Sequence, residues 1–330
     1  MRSIAWKQLI LSSGIVAIVL WRVPLGGLRA AFRGLETGSL LLSLVCLGAW
    51  FALRAYKWHH LMAVAGNARI GYSLRNLLGG FALGLVTPGR LGELGRCVFV
   101  RQPERAQVAL LTVFDRALDF WALLTSMGAG LFLLVSRPAA IFGVAVWLAL
   151  LPLVMGFPAL IGEVAKLART SRYFRGHVLQ AAAGISQIPT PRFALLAVGA
   201  MAAELAAFFF LLRAFSPTGF ATTLATYPYI VLAADLPVSF SGVGVREGVA
   251  TLLLSPYAIP RGAAVDACLL WFVFTILLPA ICGAVWLATD RLKARMRAGD
   301  AVAIEPGSAY FPNASSNALS SARNFSGSRT

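Results

Sequence analysis

The sequence predicts an all-helical, polytopic membrane protein. Three observations carry that expectation. Of its 330 residues, 58% are hydrophobic and only 13% are charged, and the mean hydropathy is +0.76. A chain of that composition is far more apolar than a soluble core requires. The apolar residues are gathered into runs of helical length, separated by basic connections. Two of those runs end in sequences rich in Pro, Gly, Arg and Glu rather than in an ordinary loop.

The formal net charge of +16 would suggest nucleic acid in a soluble protein. Here the basic residues lie between apolar runs, which fits cytoplasmic loops and anionic headgroups instead. No basic patch interleaves with aromatics, so no nucleic-acid partner is expected. Cys46, Cys97, Cys268 and Cys282 are scattered without a C-x-x-C pair and read as small apolar residues. His59 and His60 are adjacent and His177 is distant, with no H-E-x-x-H, so no metal is expected. No G-x-x-x-x-G-K-[ST] stretch occurs, and no cofactor is expected.

In chain order, residues 1–7 are basic and lead into an apolar run at 9–21, read as an uncleaved first span. Arg22, Arg29 and Arg33 follow. Residues 39–56 form a second span and 57–75 a polar, basic connection with Lys57, His59, His60, Arg69 and Arg75. The run 77–86 then meets Thr87-Pro88-Gly89-Arg90-Leu91-Gly92-Glu93-Leu94-Gly95-Arg96. Proline cannot continue a helix without losing a backbone hydrogen bond, and glycines admit conformations closed to other residues. Charges and broken backbone at membrane depth are tolerated only inside protein or beside a water-filled cavity. Two readings stay open here: a site, or a cytoplasmic turn whose charges snorkel to the interface.

Residues 106–135 form a long helix with Asp115, Arg116 and Asp119. The carboxylates are four apart and share a face; Arg116 lies on a neighbouring face and can answer Glu93 or Asp119. A packing ion pair and a role on a transport pathway are both compatible with this spacing. A span at 139–160 leads to the most basic connection, 162–192, read as a cytoplasmic segment on an anionic surface. The span 193–212 carries Glu204 in its middle. Such a carboxyl must find a partner, be protonated or face water. The run 227–234 ends in Asp235-Leu236-Pro237-Val238-Ser239-Phe240-Ser241-Gly242-Val243-Gly244-Val245-Arg246-Glu247, a counterpart of the first broken motif. Residues 263–287 form the last span, with Asp266 near its start. Residues 298–330 are rich in Ser, Asn, Ala and Gly and read as a disordered tail.

Together these give about six full spans plus two broken or re-entrant helical hairpins within residues 1–297. Both termini lie in the cytoplasm, which leaves Arg22, Arg29 and Arg33 on the outer side. The halves 1–137 and 138–297 read alike from opposite sides, the pattern of an inverted repeat with its site at the repeat interface.

Pro88-Gly89-Arg90-x-Gly92-Glu93-x-x-Arg96, Asp115-Arg116-x-x-Asp119 and Pro237-x-Ser239-x-x-Gly242-x-Gly244-x-Arg246-Glu247 resemble the lysylphosphatidylglycerol synthase transmembrane-region family, also called flippase-like membrane proteins. The resemblance spans roughly residues 5–295. Family members typically have Glu-Arg where this chain has Asp115-Arg116. The resemblance implies a multi-pass protein of the bacterial cytoplasmic membrane that handles a phospholipid or lipid-linked headgroup. In the best-known members this module is fused to a soluble aminoacyltransferase domain, which is expected to be absent here, so the chain is expected to transport rather than catalyse.

The residues fit that chemistry. Arg90, Arg96, Arg116 and Arg246 can pair with phosphate, for which bidentate guanidinium contacts are suited. Helix N-termini beyond Gly89 and Gly242 can offer N–H groups to the same oxygens. Glu93, Asp119, Asp235 and Glu247 can hold the arginines or meet a cationic headgroup. Glu204 or Asp266 can couple proton movement. Two other readings remain: a membrane enzyme or enzyme subunit acting on a lipid carrier, and a scaffold presenting lipid to a separately encoded transferase.

Overall fold

A computed structural model describes residues 36–66, 69–87, 90–100, 105–134, 188–237 and 241–289, with a few isolated positions between 141 and 185. The expectations for 9–21, 139–160, most of 162–192 and the tail, and for Pro88, Gly89 and Ser239, lie outside these residues. The chain divides into two units, Met1–Ala288 and Thr289–Thr330; everything below concerns the first.

All regular elements among the described residues are helical. They are α1 (Thr37–Val64), α2 (Ile70–Leu85), a 3₁₀ segment (Leu91–Phe99), α3 (Arg105–Leu134), α4 (Thr190–Phe215), α5 (Phe220–Asp235), α6 (Val245–Leu254), a 3₁₀ turn (Ser255–Tyr257) and α7 (Arg261–Phe272). A π turn at Val273–Leu277 carries α7 onward, so that helix runs to Thr289.

Three of these helices are long and apolar enough to cross a membrane: Thr37–Val64, Thr190–Phe215 and Arg261–Thr289. Their outward faces suit lipid. Only 28% of α1's most apolar window is buried, and Leu41, Val45, Leu195 and Val285 are exposed. In water such faces would seek a partner; in a bilayer acyl chains cover them. These features make the protein an all-helical membrane protein.

The bundle is built on the antiparallel pair α1 and α4. Glu36 N–H donates to the Ala214 carbonyl at 3.1 Å. The Ser43 hydroxyl donates to the Ala207 carbonyl at 2.8 Å. Leu53 lies against Gly199 further along. A small residue and a hydroxyl at the contact are what close helix packing in lipid favours.

Helix α1 runs past the expected span end at Tyr56, through the stretch assigned to a basic connection, to Val64. Lys57 and Trp58 are wholly buried. The helix can continue because Lys57 is neutralised within the bundle, as set out below, and not by solvent.

Two helices stop short. Both α2 and α5 have 16 residues, about 24 Å at 1.5 Å per residue, against a hydrocarbon core of about 30 Å. Each is followed by a break with left-handed backbone. Arg90 has φ 58° after α2; Ser241, Gly242 and Gly244 have φ 53°, 76° and 88° after α5. A short helical piece then follows each break, Leu91–Phe99 in one case and Val245–Leu254 in the other.

Candidate functional site

Close approach of the first broken motif to α2 builds the site. The α2 sequence Leu-Leu-Gly-Gly-Phe-Ala-Leu-Gly-Leu leaves a face without side chains. A Cβ on Gly80 would stand 2.7 Å from the Arg96 side chain, and one on Gly84 would stand 2.8 Å from that of Glu93. Those two charged side chains therefore lie on the bare face of α2. Buried Asn76 donates to the Arg96 carbonyl at 2.8 Å and fixes the segment's height. The Thr87 hydroxyl accepts from Gly92 N–H at 2.6 Å and closes the turn.

Around Glu93 a charged cluster assembles from α1, the first broken motif and α3. Glu93 pairs with Arg90, with Arg96 and Arg116 at 3.2 Å each, and with Arg54 at 3.8 Å. Asp115 receives Arg96 at 2.9 Å, Lys57 at 2.8 Å and Arg116 at 3.3 Å. Asp119 receives Arg116 at 2.8 Å, Arg54 at 3.2 Å and Lys57. Both carboxylates of the i, i+4 pair thus meet one ammonium, and Arg116 answers both Glu93 and Asp119.

Aromatic rings close the cluster off. Arg54 lies 5.3 Å from the ring centroids of Trp50 and Phe81, and Arg96 lies 4.6 Å from that of Trp58. Such stacking suits guanidinium, which is less strongly hydrated than an ammonium. Glu93, Arg96 and Asp115 are no more than 1% exposed.

Five cations (Arg54, Lys57, Arg90, Arg96, Arg116) therefore share three carboxylates (Glu93, Asp115, Asp119), a formal charge of +2. A buried excess of that size is costly unless something answers it. On one side the cluster opens into a cavity of about 310 Å³, lined by Arg54, Arg90, Arg116 and Asp119 and, across from them, by Glu204 of α4 and Asp235 of α5. Asp235 reaches Arg90 at 3.8 Å, so the end of α5 meets the first broken motif.

The rest of the second motif is built differently. Arg246 is 1% exposed. It donates to the Ser241 carbonyl at 3.0 Å and lies 4.8 Å and 5.1 Å from the rings of Trp271 and Phe272. It does not line the cavity. The Glu247 carboxylate accepts from Gly244 N–H at 2.6 Å and caps α6 from within. Gly242 sits at φ 76° with Ala234 backbone packed where a Cβ would go, which fixes the turn. Pro237 is exposed beside Asp235. Asp266 also lies away from the cavity lining. All four cysteines are free thiols. Among the described residues no group of three His, Cys, Asp or Glu side chains is arranged to hold a metal ion.

Sequence reasoning missed Arg54 and Lys57. Both sit within a run read as a span and its exit, and their three-residue spacing on one helix face complements Asp115 and Asp119 on another. That match across helices was the available signal.

The fold and the cluster define a class: helical membrane proteins that keep a charged site inside the bundle, beside interrupted helices. More specifically, the chain belongs to the lysylphosphatidylglycerol synthase TM region family, whose model matches residues 6–283. Among the curated proteins compared with it, none matches.

Proposed function

We propose that this protein binds the phosphate-bearing headgroup of a phospholipid or polyprenyl-linked lipid in the cavity and carries it across the membrane. The observation that supports this reading is that the buried cluster turns three guanidinium groups, those of Arg54, Arg90 and Arg116, to one wall of the cavity. An anionic phosphate accepts the bidentate contacts that guanidinium offers. The volume is at the small end of ligand cavities, which run from about 300 to 1,000 Å³. It would hold a headgroup and leave the acyl chains in lipid. Family membership points the same way, to a membrane function connected with lipid.

The architecture proposed for this task is an inverted repeat whose two broken helices enter from opposite sides and meet at the cavity. The equal lengths of α2 and α5 and the contact of Arg90 with Asp235 support it. Cysteines placed at Gly92 and Gly242 should then react with impermeant thiol reagents added from opposite sides. Labelling of both from one side would end the repeat proposal.

Transport is tested with the purified protein in liposomes holding fluorescent phospholipids or a labelled polyprenyl phosphate, leaflet distribution being read by dithionite quenching. Wild type should equilibrate the label and Arg90→Ala should not. Retained binding without transbilayer movement would favour a scaffold that presents the lipid to a separately encoded transferase. Absence of both binding and movement would remove the lipid reading.

A further inference from the structure

The cavity has two walls of opposite character. Arg54, Arg90 and Arg116 form one, and each is already engaged by Glu93 or Asp119. Glu204 and Asp235 form the other. Asp235 is 45% exposed and touches Arg90. Glu204 differs: no cation stands within ion-pair distance of it among the described residues, and its lining neighbours on α4 are Ala197, Ala200 and Met201.

The groups facing Glu204 come from every element packed around it. Arg54 comes from α1, Arg90 from the first break, and Tyr227 and Asp235 from α5. Arg116 and Asp119 of α3 share the cavity. Helix α7 contributes Trp271, whose ring lies 6.0 Å from that of Tyr227.

Charge balance then decides what an arriving anion must do. With Asp235 and an ionised Glu204 included, five carboxylates match the five cations, and the empty site is neutral. One phosphodiester makes it −1 in a space walled by protein. Glu93, Asp115 and Asp119 cannot relieve this, since each is held by three or more cations. Asp235 is solvated and paired. The carboxylate free to change is Glu204.

We propose that Glu204 takes up one proton when a phosphate headgroup binds and releases it when the headgroup leaves, so that lipid and proton move together. The proton comes from water at the cavity mouth beside Asp235. The resulting neutral carboxyl restores the charge balance and gains an O–H that can donate to a phosphate oxygen. This inference rests on the headgroup reading above.

The test is calorimetric titration of the full-length protein in detergent with dioctanoyl phosphatidylglycerol. Each titration is repeated in two buffers of different ionisation enthalpy, from about pH 6 to about pH 8. Wild type should take up about one proton per headgroup over part of that range, with affinity falling by up to about tenfold per pH unit as Glu204 ionises. Glu204→Gln should take up none and show a flattened pH profile. Asp266→Asn, away from the cavity lining, should still take up a proton. Binding by wild type without proton uptake anywhere in the range would overturn the inference and leave the headgroup reading standing. Uptake retained in Glu204→Gln would do the same. If that variant does not fold, Glu204→Asp replaces it, and an unchanged pH midpoint would count against the proposal. Absence of binding at every pH would remove the headgroup reading and this inference with it.

Discussion

At the scale of single residues, the unusual feature is Lys57, an ammonium buried between Asp115 and Asp119. Removing one partner from a buried charge group costs about 3–5 kcal/mol, because the others remain desolvated. Lys57→Met should therefore lower the melting temperature sharply in detergent. Adding Asp119→Asn should recover part of the loss, so the double variant melts above the sum of the singles. Strict additivity would mean the pair is not coupled. Arg90 and Arg246 should separate cleanly. Arg90→Ala removes a cavity-lining cation and should abolish headgroup binding, with a smaller fall in melting temperature than Lys57→Met because Glu93 keeps Arg54, Arg96 and Arg116. Arg246→Ala removes a buried guanidinium stacked on Trp271 and Phe272 and should act mainly on stability, by about 2 kcal/mol or more. Equal effects of the two on binding, with unchanged melting, would contradict this division.

At the scale of elements, the site depends on what α2 lacks. Its bare face at Gly80 and Gly84 admits Arg96 and Glu93, and a side chain there must push the 3₁₀ segment away. Gly84→Val should disrupt the Glu93 contacts with four arginines and eliminate transport, even where the protein still assembles in the membrane. Transport at the wild-type rate in that variant would show that Glu93 need not sit on α2. The second break makes a different demand. At φ 76° against Ala234, Gly242→Ala combines backbone strain with a clash; each residue forced into such a region costs about 1–3 kcal/mol. A melting curve for Gly242→Ala indistinguishable from wild type would show that the turn can rearrange.

At the scale of the whole molecule, the three long apolar helices give the bundle its lipid-facing surface, and long and interrupted elements together carry the charged interior. Arg54 and Lys57 come from α1, Arg90, Glu93 and Arg96 from the first broken motif, Asp115, Arg116 and Asp119 from α3, Glu204 from α4, and Asp235 from α5. No single element holds enough charge to bind a phosphate by itself. The ionic cluster should therefore be lost as a unit, with Lys57→Met and Glu93→Gln both abolishing binding although neither Lys57 nor Glu93 lines the cavity. Binding retained by both would confine the function to the lining arginines alone.

The sequence by itself determined the class, the membrane and the two places where helices break. Apolar content, run length, proline and glycine are local properties and act on the backbone where they occur. It also placed Asp115 and Asp119 on one face, since helical spacing is local too. What only the tertiary structure decided was partnership. Lys57 read as the start of a loop because a lone lysine belongs at a membrane surface; it is buried because two carboxylates on α3 meet it there. Arg246 and Glu247 read as ligand groups, yet one packs on aromatic rings and the other caps its own helix. Whether a charge faces lipid, water or another charge depends on residues far away in the chain, and the net +2 of the cluster is the sum of such long-range choices.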